Sequence, residues 1–480
     1  MSEHDIDPRQ AGPVIDSRQR GALWLELRAL LRLAIPLAAT QLAQMIILAT
    51  DTLMLGHLSK EALAAATLGN NIFILVWLIG LGPASAVPAM IAHIRGGDEN
   101  DRGGVQSVVR MGLWASAILS LPLLLLLAFT RPILLLLGQD PALVGGAALF
   151  MSSLMWGLPV SIGYQVLRNF CSAVDRPLMP LFVAALAVLF NAAGDYALIF
   201  GHFGAPRLEL WGAGLSSALS NLFGFLAMLA FCLLQPKLKS YRILQHLVQP
   251  HWTRLREIFH LGLPIGMTMI FEAALFITAA FTMGLFGTDV LAAHQIAITV
   301  PSLTFMVPMG IGMAATVRVG LAAGAGDPVE ARRAGFAAMG VAAIFMSATS
   351  LLLILLPRTI ASLWLPDTPE NAPVLALASS YLMVAAGFQI VDGLQATAAM
   401  SLRGLKDARA PMWIAGGAYW LCGFPVCLIL AFPLGFQGIG VWLGLAFGLF
   451  VAAVTLVNRF NLLSRARIAP ATAAGTRSVP

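Results

Sequence analysis

The chain has 480 residues, 59% of them hydrophobic and 11% charged, with 29 Lys and Arg against 23 Asp and Glu for a net charge of +6. A soluble domain carries about 25% charged residues, and a mean hydropathy of +0.83 over this length excludes both a soluble globular protein and one held by one or two anchors. Most of the chain is built for lipid, so its basic excess bears on orientation in a membrane, and no nucleic-acid partner is expected.

Residues 1–29 read as a polar tail of mixed charge, without the basic-then-apolar order of a secretory signal. Pro, Gly and charge clusters then divide the chain into twelve apolar segments, each near or above the ~20 residues that a bilayer requires. They are 30–56, 62–92, 105–130, 143–168, 178–201, 210–234, 258–286, 291–321, 333–357, 372–402, 411–433 and 438–460. The expected fold is an all-α polytopic membrane protein with twelve transmembrane helices in two pseudo-symmetric six-helix lobes. Residues 30–234 form the first lobe, 235–257 a linker, 258–460 the second lobe and 461–480 a C-terminal tail. Of the 29 basic residues, only Lys60, Arg131, Arg207 and Arg358 fall on one side of this alternation. The others, with Arg168 and Arg403 counted among them, fall in the tails or on the opposite connectors. That imbalance places both termini and the linker in the cytoplasm.

The halves resemble each other. Leu33-Ala-Ile-Pro-Leu37 answers to Leu261-Gly-Leu-Pro-Ile265, and Leu63-Ala-Ala-Ala-Thr67 to Leu291-Ala-Ala-His-Gln295, both at an offset of 228 residues. Arg95-Gly-Gly-Asp98 has a counterpart near Gly324-Ala-Gly-Asp327. Six spans separate the repeats, so both insert with the same orientation. Under this offset Glu272 answers to Gln44 and Asp51 to Ala279, so the architecture is duplicated and the acids are not. Gly82-Pro83 and Pro88 in the second span, and Pro308, Gly310 and Gly312 in the eighth, predict interruptions at matching depth. Such paired breaks point to a central path.

Four carboxylates lie inside apolar segments: Asp51, Asp195, Glu272 and Asp392. A charged side chain at mid-bilayer costs at least ~3 kcal/mol, so such residues mark ion or substrate paths. Asp51 shares a helix face with Gln44, and Asn191 with Asp195. If the first and fifth spans are neighbours, Asp51, Asn191 and Asp195 form one polar site. Two carboxylates in a dry site share a proton or hold a cation. Glu272 follows Thr268 by one turn among Met267, Met269, Phe271 and Phe276, a setting suited to lipophilic cations. Asp392 is flanked by Gln389 and Gln395, which suggests a hydrated stripe or ion site. His294 reads as a hydrogen-bonding residue at a helix start. Cys171, Cys232, Cys422 and Cys427 read as small apolar side chains with no disulfide or metal framework.

No phosphate-binding G-x-x-x-x-G-K-[ST] loop occurs and no soluble stretch could hold an ATPase domain, so no ATPase subunit or cofactor is expected. No paired catalytic residues are visible, so an enzyme is not expected. The duplication with unlike acids favours alternating access over a passive channel.

The segments LAIPLAATQLAQMIILATDTLMLGHLSKEALAA, LGLPIGMTMIFEAALFITAAF, LAAHQIAITVPSLTFMVPMGIGMAATVRVG and DGLQATAAMSLRGLKD resemble the multidrug and toxic compound extrusion (MATE) family of secondary transporters, in its bacterial NorM-type branch. The resemblance runs from about residue 28 to residue 460. It implies an inner-membrane antiporter that exports lipophilic or cationic drugs in exchange for Na+ or H+; a monomer is expected, although the sequence does not decide between monomer and dimer. By this resemblance Glu272 and Asp392 match acids tied to cation binding, with Na+ as the metal, and Asp51 and Asn191 match a polar site of the first lobe. Asp195 stands where members of this branch commonly carry Asn, which leaves H+ and Na+ both open. The alternative is an exporter or flippase of a lipid-linked or endogenous metabolite on the same fold. Basic residues should line its cavity, whereas the charges assigned here to the spans are all acidic.

Overall fold

A computed structural model describes residues 17–475, and every regular element among them is helical. The first half contains α1 (Ser17–Leu58), α2 (Lys60–Gly97), α3 (Arg102–Ala128), α4 (Thr130–Leu136), α5 (Pro141–Leu154), α6 (Gly157–Ala173), α7 (Leu178–Phe200) and α8 (Glu209–Leu234). The short α9 (Pro236–Lys239) leads to the second half: α10 (Trp252–Gly284), α11 (Thr288–Gly324), α12 (Pro328–Leu355), α13 (Pro357–Ala361), α14 (Ala372–Gly404), α15 (Arg409–Gly416), α16 (Phe424–Ala431) and α17 (Gln437–Gly475). Helices satisfy every backbone group within the segment, which is what hydrocarbon demands. Among the described residues, eleven spans are long and apolar enough to cross a bilayer, and α5 with α6, bent by 50° between them, makes up to twelve. The bent pair falls on the expected fourth span. At the ends, α1 starts upstream of residue 30 and α17 runs past residue 460; Arg9 and Arg477 of the basic set lie outside the described residues.

The expected interruptions of the second and eighth spans are absent. Helix α2 passes through Pro83 and Pro88, and α11 through Pro301 and Pro308, without a break. A proline frees the carbonyl four residues earlier. The Ala84 carbonyl, freed by Pro88, accepts a hydrogen bond from Asn169 Nδ2 of α6 at 2.8 Å. A neighbouring helix thus replaces the lost bond and the helix continues. The irregularity lies elsewhere, in a π-helical turn, Gly417–Gly423, between α15 and α16.

The duplication is visible in how the halves meet. A Cβ on Gly82 would collide with Gly262 and Gly266 of α10, and one on Gly310 would collide with Ala38 of α1. Residues 82 and 310 are repeat equivalents, and so are 38 and 266. Likewise a Cβ on Gly96 would meet Leu321, and one on Gly324 would meet His93, again equivalent pairs. These reciprocal contacts are the signature of a pseudo-two-fold axis passing between α1, α2, α10 and α11. Glycine lets the backbones approach closely enough to form them.

The halves are fastened on the face that carries the basic connectors. Arg318 of α11 makes a two-pronged ion pair with Glu26 of α1, whose side chain is 1% exposed. His93 Nε2 of α2 lies 2.9 Å from the Gly404 carbonyl of α14. Deeper in, the same helices diverge around a cavity.

Candidate functional site

The cavity has a volume of about 430 Å3 and lies between the halves, with walls from α1, α2, α6, α10, α11 and α14. Its apolar surface is rich in adaptable and aromatic side chains, including Met269, Phe276, Phe305, Met306 and Met309. Glu272 and Asp392 both stand in the wall. Asp392 is 6% exposed, and its Oδ1 has no hydrogen-bond donor. Of the four side chains expected around Glu272, Met269 and Phe276 line the cavity. Met267 points outward, and Phe271 packs on Gly416.

The polar residues near these acids do other work. Gln389 Nε2 donates to Thr304 Oγ1 of α11 at 3.0 Å, and Gln395 Nε2 to Tyr419 Oη in the π turn at 2.7 Å. Positions three before and three after Asp392 lie about 60° to either side of it on the helix. They therefore reach different neighbours, and the expected hydrated stripe is reduced to Asp392. Thr268 donates to its own helix, at the Pro264 carbonyl 2.9 Å away, and stays out of the cavity wall.

A second polar cluster lies within the first half and contributes nothing to the cavity wall. Asn191 Nδ2 of α7 donates to Asp51 Oδ1 at 2.9 Å, and Ser217 Oγ of α8 to Asp51 Oδ2 at 2.9 Å. Asp195 lies beside Asp51, fully buried, with neither oxygen meeting a donor in hydrogen-bonding geometry. The structure thus brings Asp51, Asn191 and Asp195 together, as the one-face spacings anticipated, and adds Ser217. Gln44 does not join them. It lines the central cavity, as does its repeat equivalent Glu272.

The largest correction concerns basic charge. Arg168 and Arg403, assigned from sequence to connectors, are helical residues 5% and 9% exposed in the cavity wall. The charges inside the spans are therefore of both signs. Arg168 Nη1 donates to Gln41 Oε1 at 2.6 Å and to Gln44 Oε1 at 3.3 Å. Arg403 and Glu272 line the same cavity. One sequence signal was present: a Leu-Arg pair lies toward the C-terminal end of both helices, at 167–168 in α6 and 402–403 in α14.

The MatE family model matches two stretches of the chain, 36–197 and 264–429. They start 228 residues apart, the offset of the internal repeat. A probable multidrug resistance protein NorM of Mesorhizobium japonicum is 41% identical, over 94% of this chain and 97% of that protein. Another of the same name, from Pseudomonas aeruginosa, is 42% identical over 95% and 94%. Among solved structures, a eukaryotic MATE transporter superposes with a TM-score of 0.82 at 20% identity, over 93% of this chain and 98% of that one. An outward-facing multidrug resistance MATE family transporter gives 0.83 at 19%, over 92% and 96%. Two matched halves, a shared fold and near-full-length relatives lead to one conclusion: this chain belongs to the MatE family.

Proposed function

We propose that this protein exports lipophilic and cationic compounds, drugs among them, across the bacterial inner membrane in exchange for Na+ or H+. The observation that carries this reading is the apolar, Met- and Phe-rich cavity between the halves, with Glu272 and Asp392 in its wall. Relatives about 40% identical are named as multidrug resistance proteins, which supports it. On this reading residues 30–234 and 258–460 are the two moving lobes, joined by the linker 235–257, and both termini are cytoplasmic. The sealed face is then the cytoplasmic one, and the cavity opens outward. The protein acts as a transporter and not an enzyme, as a monomer, without an ATPase subunit.

Glu272 and Asp392 meet the substrate cation and, by displacement, the coupling ion; a sodium ion is assigned to this pair. Asp51 and Asp195, with Asn191 holding Asp51 in place, form the second coupling site, suited to one shared proton. An ion that binds one conformation better than the other shifts the population, and drug binding reverses the shift.

The test is ethidium transport in proteoliposomes with a pH gradient or a sodium gradient imposed separately. Glu272→Gln and Asp392→Asn should each lower transport at least ~100-fold, the scale on which losing a buried charged contact of a few kcal/mol is felt, while the protein still reaches the membrane. Transport driven by pH alone assigns coupling to Asp51 and Asp195, and transport driven by sodium assigns it to Glu272 and Asp392. If neither gradient moves the dye, drug antiport is wrong.

A further inference from the structure

We propose that Arg168 is a carboxylate-recognising residue of the central cavity, and that the cavity prefers zwitterionic amphiphiles over simple monocations. This deepens the export reading above and rests on it for the transport step.

Four ionic side chains line the cavity: Arg168, Glu272, Asp392 and Arg403. Two are basic and two acidic, and among the described residues none of the four is in an ion pair. Among the described residues, no carboxylate lies within ion-pair distance of Arg168, and no basic group within that distance of Asp392. A buried guanidinium keeps its charge in any protein, and burying an unpaired charge is costly. Neutral glutamine oxygens satisfy hydrogen bonds without cancelling that charge.

The hydrogen-bond geometry of Arg168 says which edge is free. Both glutamines bind Nη1. The other edge of the fork, Nε with Nη2, is the edge that binds a carboxylate in two-pronged fashion. There Nε has no partner, and Nη2 meets only the sulfur of Met313 at 3.9 Å. Met313 lines the same cavity and is a flexible side chain able to swing away. Gln41 and Gln44, one turn apart on α1, hold the guanidinium from behind and orient the free edge.

The ligand implied has three parts: a carboxylate for Arg168, a cationic amine for Asp392, and an aromatic body for Phe276, Phe305 and the methionines between them. Asp392 would then exchange the amine for the coupling ion, while Arg168 keeps its charge throughout and reads only the substrate.

The experiment uses the full chain in nanodiscs of zwitterionic lipid and a matched pair of rhodamines. One carries a free carboxylate para on its pendant ring, where it cannot lactonise, and the other is its methyl ester. Fluorescence anisotropy should show the acid binding about tenfold more tightly than the ester. Arg168→Gln should bring the two within about twofold by weakening the acid alone, and Arg168→Lys should keep part of the preference, as a point charge without the fork. Equal binding of acid and ester by the unaltered protein, which needs no variant, overturns the proposal. So does a variant that weakens both alike. Adding anionic lipid to the nanodiscs should leave the preference intact; its loss would mean that Arg168 serves a lipid headgroup instead. Gradient-driven export of the monocationic ester reads the broader proposal independently. Export of the ester without preference for the acid removes only this inference, and preference without export removes only the antiport.

Discussion

Asp51 and Asp195 lie side by side, yet Asp51 accepts two hydrogen bonds and Asp195 accepts none. That asymmetry sets what each substitution should do. Asp51→Asn places an amide where Asn191 and Ser217 already donate, so it both removes the charge and sets donor against donor. Coupled ethidium transport should be lost, and full activity in this variant would sink the proposed role of the cluster. Asp195→Asn offers Asp51 a third donor and should be milder, reducing transport driven by pH more than transport driven by sodium. A larger loss of the sodium-driven rate would reverse the assignment of Asp195. The sequence made this cluster legible because Asn191 and Asp195 are one turn apart. Ser217 was hidden because a serine in an apolar helix is ordinary.

At the scale of elements, backbone approach decides which helices cross. Gly82 against Gly262 and Gly310 against Ala38 leave no room for a side chain. Gly82→Val and Gly310→Val should each destabilise the purified protein by about 1–3 kcal/mol, the cost of overpacking a tight contact, seen as a lower thermal unfolding midpoint. Gly145→Ala, with nothing within 4 Å of the added carbon, should be neutral. Equal effects at the three sites would show that the crossings are looser than described. Segment existence was readable from apolar length, but the course of the helices was not. The prolines of α2 and α11 read as breaks, because sequence shows the lost hydrogen bond and hides what surrounds it, such as the replacement that Asn169 supplies at Pro88 of α2. The π turn at Gly417–Gly423 went unseen for a related reason, since its effect is to present Tyr419 to Gln395 on another helix.

For the whole molecule, the fastening of one face keeps the cavity closed on that side. Glu26 and Arg318 join α1 to α11 directly. Glu26→Gln leaves Arg318 without that partner, and removal of one member of a largely buried pair costs about 3 kcal/mol. Spin-label distances between the connectors 98–101 and 325–327 should lengthen and broaden in this variant. Replacing both members, Glu26→Gln with Arg318→Gln, should broaden them less, because no charge is stranded. Unchanged distances in the single variant would mean that the glycine contacts at 96 and 324 seal the face by themselves.

The sequence by itself determined the solvent, the number of spans, the duplication at 228 residues and the four acids. Hydropathy, offset and the rarity of charge in apolar segments are all local quantities. The tertiary structure decided what faces what. Helical periodicity fixes which side chains share a face but not what lies opposite that face. An arginine near the end of an apolar segment can extend to the surface or turn inward, and the sequence is the same in either case. Arg168 and Arg403 turn inward because α1, α10 and α11 stand opposite them, and only their packing makes the central cavity basic as well as acidic.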